Sequence, residues 1–118
     1  MVTKSLMIKR GEIWITSLRA SHRHTGGYVV VITSNLLSDL PGKIIVPLSV
    51  WKSEYEHVPW KIKVSPASWN GLMKISAADA CLVSSLSAAR FNAKIGFVTA
   101  EELERIIEAV RMVIGLDC

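Results

Sequence analysis

One segment near the end of the chain carries a complete helix signature, and it limits what the preceding residues can form. Thr99 and Glu102 are spaced as a capping box, in which each side chain binds the other residue's backbone N–H. Apolar residues then recur at helical spacing over residues 103–114, and charged residues occupy the opposite face. Gly115 suits the left-handed position that ends a helix. The sequence therefore predicts one amphipathic helix whose apolar face must pack against earlier elements.

The segments before this helix are short, rich in β-branched residues and separated by turn residues. Residues 28–33 (YVVVIT) form a continuous apolar run, which is typical of a strand buried on both faces. Residues 43–48 include Pro47, which we expect at a strand edge or end because proline has no N–H to donate. The other predicted strands are residues 11–18, residues 60–64, one strand within residues 76–85, and residues 93–97. Residues 51–58 are predicted to be a loop.

Several short strands followed by one amphipathic helix predict a mainly β fold, a small barrel or curled sheet with the helix covering one side. The length of 118 residues is typical of one domain. No repeat, low-complexity stretch or linker divides the chain, so we expect a single domain over residues 1–118. The order of the strands does not follow from this pattern.

Charge is distributed unevenly along the chain. Residues 1–98 contain 12 Lys or Arg and 5 Asp or Glu, whereas residues 99–118 contain 2 and 5, respectively. A basic body suggests an anionic partner, such as a phosphate backbone or an acidic protein segment. The simpler alternative is that the lysines keep a chain with 50% hydrophobic residues in solution.

The two cysteines predict neither a zinc site nor a disulfide framework. Cys81 and Cys118 lie far apart and form no CxxC or Cys/His spacing, so we expect no structural zinc site. No cofactor is expected either. Cys81 stands in an apolar stretch and is predicted to be a small core residue. No run of 18 apolar residues occurs, and residues 1–8 are too short and polar for a signal sequence. We expect the protein to stay in a reducing cytoplasm.

Seven short motifs, in this order and at this spacing, resemble the PemK/MazF family of toxins from toxin–antitoxin systems. They are RGEIW at 10–14, VVVITSN at 29–35, VPLS at 46–49, GLMK at 71–74 with SAADA at 76–80, RF at 90–91, IG at 95–96, and the terminal helix from EEL to GL. The resemblance implies an SH3-like β-barrel closed by the C-terminal helix, a homodimer, and metal-independent cleavage of single-stranded RNA. It also implies a cognate antitoxin that lies across the RNA groove of the dimer.

The resemblance further implies that a hydroxyl after the third strand acts in catalysis together with an arginine before the second. Ser49 matches the hydroxyl position and could hydrogen-bond a phosphate oxygen or the 2′-OH. Alternatively, Ser49 only ends its strand or makes a local turn bond. The family's Arg-Pro is replaced by Tyr28-Val29, which removes the guanidinium from that position.

The basic loop just upstream offers replacements for the missing arginine. Arg23 is the candidate phosphate ligand, and His22 or His24 could serve as an acid or base near neutral pH. The alternative interpretation is a solvated basic loop that takes no part in chemistry.

Aromatic and basic side chains are the candidates for RNA binding. Trp51, just after Ser49, could stack on a base, although burial in a core or interface is the more common fate of a tryptophan. Trp14 is predicted to be core, and Tyr28 is a further candidate for RNA contact. Four lysines could attract phosphates or be ordinary solvated side chains: Lys52, Lys61, Lys63 and Lys74.

Two more positions depart from the family pattern. Leu82 and Ser84 stand where many relatives have a Gln and an Arg, and we predict that Leu82 is a core residue. These departures leave open a second function, in which the domain binds antitoxin or nucleic acid without cleavage. A third possibility is a poison of another target, such as a DNA gyrase, because one fold hosts several activities.

Overall fold

The computed structural model describes residues 4–17 and 27–115, which form one antiparallel sheet with helices at the two ends of the chain. The helices are α1 (Lys4–Met7) and α2 (Ala100–Ile114). The strands are β1 (Glu12–Thr16), β2 (Tyr28–Val31), β3 (Gly42–Val50), β4 (Lys61–Val64), β5 (Ser76–Asp79), β6 (Ser84–Ser87) and β7 (Phe91–Phe97). They pair in the order β4-β5-β3-β2-β1-β7, and β6 pairs with β3. The predicted mainly β fold with one C-terminal helix is confirmed, and the pairings among the described strands make an open sheet.

The predicted strands are present, but several boundaries differ. Residues 76–85 contain two strands where the sequence predicts one, because a 3₁₀ turn at Ala80–Leu82 separates β5 from β6. The strand predicted to end at Leu48 continues to Val50, and the predicted loop over residues 51–58 contains a 3₁₀ turn at Ser53–Tyr55. Helix α1 is not predicted, because four residues are too few to carry a periodic signal.

Pro47 lies inside β3 rather than at its end, and the pairing of β3 explains how it is accommodated. One edge of β3 pairs with β2 opposite residues 45–47. The other edge pairs with β6 up to Ile45 and with β5 from Leu48. Along β3, the backbone groups of successive residues point to alternate edges of the strand. The carbonyl of Ile44 faces β2, so the nitrogen of Pro47, three residues later, faces the opposite edge. There it points into the gap between β6 and β5. No ladder hydrogen bond is lost there.

The sheet buries both of its faces. One core cluster lies between the sheet and α2, and it includes Val30, Leu48 and Ile106. A second cluster on the other face includes Val29 and Val31. Successive residues of β2 therefore enter different clusters, which confirms the predicted strand buried on both faces. Trp14, predicted as core, is confirmed in the second cluster with its indole edge-on to the ring of Phe91 at 5.7 Å.

Helix α2 has the predicted termini. The Thr99 hydroxyl accepts from the N–H of Glu102 at 3.1 Å, and the Glu102 carboxylate accepts from the N–H of Thr99 at 2.9 Å. Gly115 ends the helix in the left-handed region at φ 80°. Among the described helices, none is long and apolar enough to span a membrane.

The prediction of a core position is wrong for two residues. Cys81 is exposed, and Leu82 is 44% exposed. Both lie on the 3₁₀ turn that carries the chain from β5 to β6, and only the first residue of that turn, Ala80, is buried. A turn of three residues directs its side chains around the backbone, so an apolar composition does not place them all inside.

Candidate active site

A cavity of about 220 Å³ opens on the face of β3, β4 and β5 that is turned away from α2. It is lined by Pro47, Ser49, Lys52, Tyr55, Lys61, Asp79 and Leu82. Apart from Lys52, which directly precedes the Ser53–Tyr55 turn, these residues come from three strands and two 3₁₀ turns, so strand pairing assembles the cavity.

Strand alternation places the polar groups on this face. In β3, Val46 and Leu48 enter the core, which turns Pro47 and Ser49 outward. Ser49 pairs with Ala77 of β5, and Ala77 pairs in turn with Lys63 of β4, making one row across the sheet. Ala77, between the two, is fully buried and does not line the cavity.

An ion pair forms one wall of the cavity. The Lys61 Nζ donates to the Asp79 Oδ2 at 2.8 Å, and the two residues are directly opposite each other in β4 and β5. The exposed fractions of the two side chains are 18% and 13%. The other carboxylate oxygen of Asp79 accepts from the N–H of Cys81 at 3.0 Å. The Lys61 Nζ also lies 4.3 Å from the centre of the Tyr55 ring, so a carboxylate and an aromatic face together hold the ammonium.

An aromatic corner adjoins this wall. Trp51 and Tyr55 meet edge-to-face, with ring centres 5.6 Å apart and planes at 86°. The Lys63 Nζ lies over the Trp51 ring, 5.1 Å from its centre. The backbone N–H of Trp51 donates to the carbonyl of Ile75, which continues the β3–β5 pairing and fixes the position of the tryptophan. The aromatic corner is therefore attached to the sheet through a backbone hydrogen bond.

The structure brings some of the sequence-predicted site residues together and separates others. Ser49, Lys52 and Lys61 line the cavity. Trp51 lies beside it, in contact with the lining residue Tyr55. Tyr28 is half-buried and packs against the core cluster under α2, so its side chain does not line the cavity. Lys74 is exposed in the loop before β5, and it too is absent from the cavity lining.

The predicted loop residues lie outside the described part of the chain. These are His22, Arg23 and His24, which fall between residues 17 and 27. Their roles therefore stay predictions. Ser84, the second departure from the family pattern, is exposed on β6 opposite Ile45 and does not line the cavity.

Sequence reasoning missed parts of this site. Pro47 could have been found, because it precedes Ser49 by two residues and must share its strand face. The ion pair could not, because Lys61 and Asp79 are 18 residues apart and meet only through the pairing of β4 with β5. Tyr55 carries no sequence signal of its own within a segment predicted to be a loop.

The arrangement offers hydrogen-bond donors and positive charge at one place. Ser49 contributes a hydroxyl, Lys52 and Lys61 contribute ammonium groups, and Asp79 contributes the single carboxylate of the described lining. These groups suit an anion that is held by hydrogen bonds, such as a phosphodiester. Within residues 4–17 and 27–115, no three His, Cys, Asp or Glu side chains are grouped so as to hold a metal ion.

Comparison with solved structures shows the same fold in bacterial toxins. The toxin MazF-mt6 of Mycobacterium tuberculosis is 18% identical with a TM-score of 0.71, over 91% of this chain and 99% of that chain. An endoribonuclease in complex with its cognate antitoxin, from a mycobacterial species, is 18% identical with a TM-score of 0.75, over 94% and 98%. A MazE–MazF complex of Deinococcus radiodurans is 14% identical with a TM-score of 0.69, over 93% and 98%. At such low identity these likenesses establish the fold alone.

Comparison with sequences gives the family. No curated protein sequence matches the chain. A family model does match, over residues 9–114, and it describes the PemK-like, MazF-like toxin of type II toxin–antitoxin systems. This match covers nearly the whole chain and agrees with the fold of the solved toxins. The chain therefore belongs to the PemK-like, MazF-like family of type II toxin–antitoxin toxins.

Proposed function

We propose that the chain is the toxin of a toxin–antitoxin pair and cleaves single-stranded RNA without a metal ion. One observation carries this proposal: Ser49 lines an open cavity together with Lys52 and Lys61, on the sheet face that is turned away from α2. Family membership supports the role as a toxin. The names of the solved neighbours, which include endoribonucleases, support the reaction.

The reaction needs only groups that the RNA and the protein supply. The 2′-oxygen attacks the adjacent phosphorus and loses its proton, the P–O5′ bond breaks, and the 5′-oxygen gains a proton. The products are a 2′,3′-cyclic phosphate and a free 5′-hydroxyl. Ser49 donates its hydroxyl proton as a hydrogen bond to a non-bridging phosphate oxygen, whose charge grows as the new bond forms.

The proton transfers are assigned to the loop that the sequence singles out. His22 or His24 acts as base or acid, and Arg23 binds the phosphate. Trp51 stacks on a base through the ring face that Lys63 does not cover, while Lys52 attracts the backbone. Lys74 and Tyr28 remain predicted RNA contacts, and the cavity lining gives neither of them support.

Removal of the Ser49 hydroxyl tests the proposal. Long single-stranded RNA incubated with the protein and a metal chelator should give discrete fragments that end in 2′,3′-cyclic phosphate. Ser49→Ala should lower the cleavage rate by about 100-fold, of the order expected for one positioned hydrogen-bond donor in a transition state. Ser85→Ala is the matched control, because this exposed serine lies on β6 outside the cavity.

Two results would contradict this assignment. Intact RNA, in an assay where an active relative cuts the same substrate, would refute the nuclease. Equal loss of rate in Ser49→Ala and Ser85→Ala would show that the cavity is not where the reaction takes place.

A second candidate function is binding of antitoxin or nucleic acid without cleavage. It is favoured by the carboxylate of Asp79, which lies in a cavity proposed for an anionic substrate. Expression in bacteria separates the two candidates. Growth arrest relieved by Ser49→Ala supports the nuclease, whereas harmless expression together with tight RNA or antitoxin binding supports the binding module.

The proposal also covers the closure of the sheet, the oligomeric state, the cellular location and the antitoxin. We infer that the open sheet with α2 amounts to an SH3-like barrel, that the protein forms a homodimer in the cytoplasm, and that residues 1–118 are one domain. The cognate antitoxin is an acidic segment that folds on the basic body and covers the RNA groove. The excess of 12 basic over 5 acidic residues in residues 1–98 supports this charge complementarity.

A further inference from the structure

Lys61 differs from the other lysines near the cavity in how firmly its ammonium is held. Its Nζ is bound to the Asp79 carboxylate at 2.8 Å and lies 4.3 Å from the Tyr55 ring centre. Lys52 lines the same cavity but is exposed, and no described partner holds its ammonium. Lys63 lies over Trp51 and does not line the cavity. Lys61 is therefore the cation in the described cavity whose position is fixed before a ligand arrives.

Asp79 is itself held in place, so it can orient the ammonium. Its Oδ1 accepts from the N–H of Cys81 at 3.0 Å, which leaves Oδ2 for Lys61. An ammonium has three N–H donors, and Asp79 takes one of them. The contact with Tyr55 is made through the ring face rather than through a hydrogen-bond acceptor. Lys61 thus keeps donors for an anion in the cavity.

We propose that Lys61 contacts the scissile phosphate in the Ser49 cavity, and that Asp79 and Tyr55 are its positioning residues. This inference rests on the proposed endoribonuclease function and adds to Arg23 a second phosphate-binding cation, which belongs to the described cavity. The Lys61 ammonium donates to a non-bridging phosphate oxygen while Ser49 donates to the same phosphate. Because the Lys61 ammonium is already in position, it stabilises the negative charge of the transition state without first having to reorient.

The first measurement is cleavage of single-stranded RNA under metal-free conditions, with kcat and KM determined separately. Lys61→Met should lower kcat by about 100-fold, and Lys61→Arg should restore most of that loss because it returns a cationic donor. Asp79→Asn should lower kcat by about tenfold while KM stays unchanged or falls, because the cation remains but loses its fixed position. A merely structural role for the pair would change kcat and thermal stability together, and Arg would not rescue it.

Lys94→Met is the matched control. Lys94 forms an ion pair with Glu12 at 3.1 Å between β7 and β1, so this variant removes the same charge and an ion pair away from the cavity. Its kcat should stay within about twofold of the unmodified protein, since a surface ion pair contributes little. Thermal melting of every variant checks that the fold is retained.

A second measurement separates this inference from the nuclease proposal. The probe is a short RNA with 2′-O-methyl groups throughout, which binds but has no free 2′-OH to attack the phosphorus. Lys61→Met should weaken its binding by about tenfold relative to Lys94→Met. If the unmodified protein cuts no RNA, the nuclease proposal fails, while this comparison still decides whether Lys61 binds an RNA phosphate. Equal affinity or equal kcat for Lys61→Met and Lys94→Met would overturn the inference.

Discussion

Lys43 is a lysine side chain inside the protein, with only 1% of its surface exposed. Its Nζ donates to the carbonyl oxygen of Ser38 at 2.9 Å. Burial removes water from the ammonium and lowers the pKa of Lys43 below its ordinary value of 10.5. The positive charge of Lys9 lowers the pKa further, whereas Asp39 raises it. Charging this residue therefore opposes folding.

The buried lysine makes stability depend on pH. The unfolded chain keeps the ordinary pKa of 10.5, so between the lowered folded pKa and 10.5 the unfolded state binds more protons. The free energy of unfolding must then rise with pH across that window. We expect the unmodified protein to gain stability relative to Lys43→Met as the pH increases toward 10.5, measured by urea unfolding of both proteins. A difference that stays flat or falls would contradict a lowered pKa.

At the scale of elements, the segment between β4 and β5 is held in place by the side-chain hydrogen bonds of one buried asparagine, Asn70. The Asn70 Oδ1 accepts from the N–H of Ala67 at 3.1 Å and from the N–H of Leu72 at 3.0 Å. Its Nδ2 donates to the carbonyl of Ser65 at 2.8 Å. This segment approaches β7 so closely that a Cβ at Gly96 would lie 2.3 Å from the carbonyl oxygen of Trp69. Only glycine fits at that contact.

Loss of the asparagine should loosen this segment. Asn70→Ala removes the partner of three backbone groups, of which the N–H of Leu72 is buried, and one unsatisfied buried group costs about 1–3 kcal/mol. We expect the free energy of unfolding to fall by about 1–3 kcal/mol, measured by denaturant unfolding. Asn92→Ala is the control, because this exposed amide bonds only the Ser17 hydroxyl among its described partners. Equal losses in the two variants would refute the fastening role.

Helix α2 could be predicted in full because its signals are local. The capping pair is three residues apart, the apolar spacing repeats each turn, and Gly115 follows at once. The ends of the strands are predicted less accurately, because a strand ends where its hydrogen bonding with a neighbouring strand ends. The extension of β3 to Val50 depends on β5, which lies more than 20 residues further along the chain.

At the scale of the whole molecule, the site depends on contacts that the sequence does not display. Ser49 and Lys52 were predicted from family motifs and position, and the structure places both in one cavity. The Lys61–Asp79 pair and the contact with Tyr55 require the order β4-β5-β3, which no local pattern provides. The prediction that Leu82 is a core residue is wrong for the same reason. Its exposure follows from the turn that joins β5 to β6.

The distribution of charge also acts at the scale of the whole molecule. The basic residues 1–98 supply the cavity lysines, whereas α2 carries acidic side chains on its outer face, among them Glu101, Glu104 and Glu108. The negatively charged backbone of RNA is attracted to the cavity lysines and repelled by the acidic outer face of α2. Under the proposed function, the sheet face that holds Ser49 is where RNA and an acidic antitoxin compete.

The most direct test of the account compares two RNA strands that differ at one atom. One is an oligonucleotide cut by the protein in the presence of a metal chelator, and the other carries 2′-deoxyribose at the cleaved nucleotide. We expect the ribose strand to give a 2′,3′-cyclic phosphate, while the deoxy strand binds with similar affinity and stays intact. Cleavage of the deoxy strand, or a ribose-strand product without the 2′,3′-cyclic phosphate, would contradict the proposed reaction.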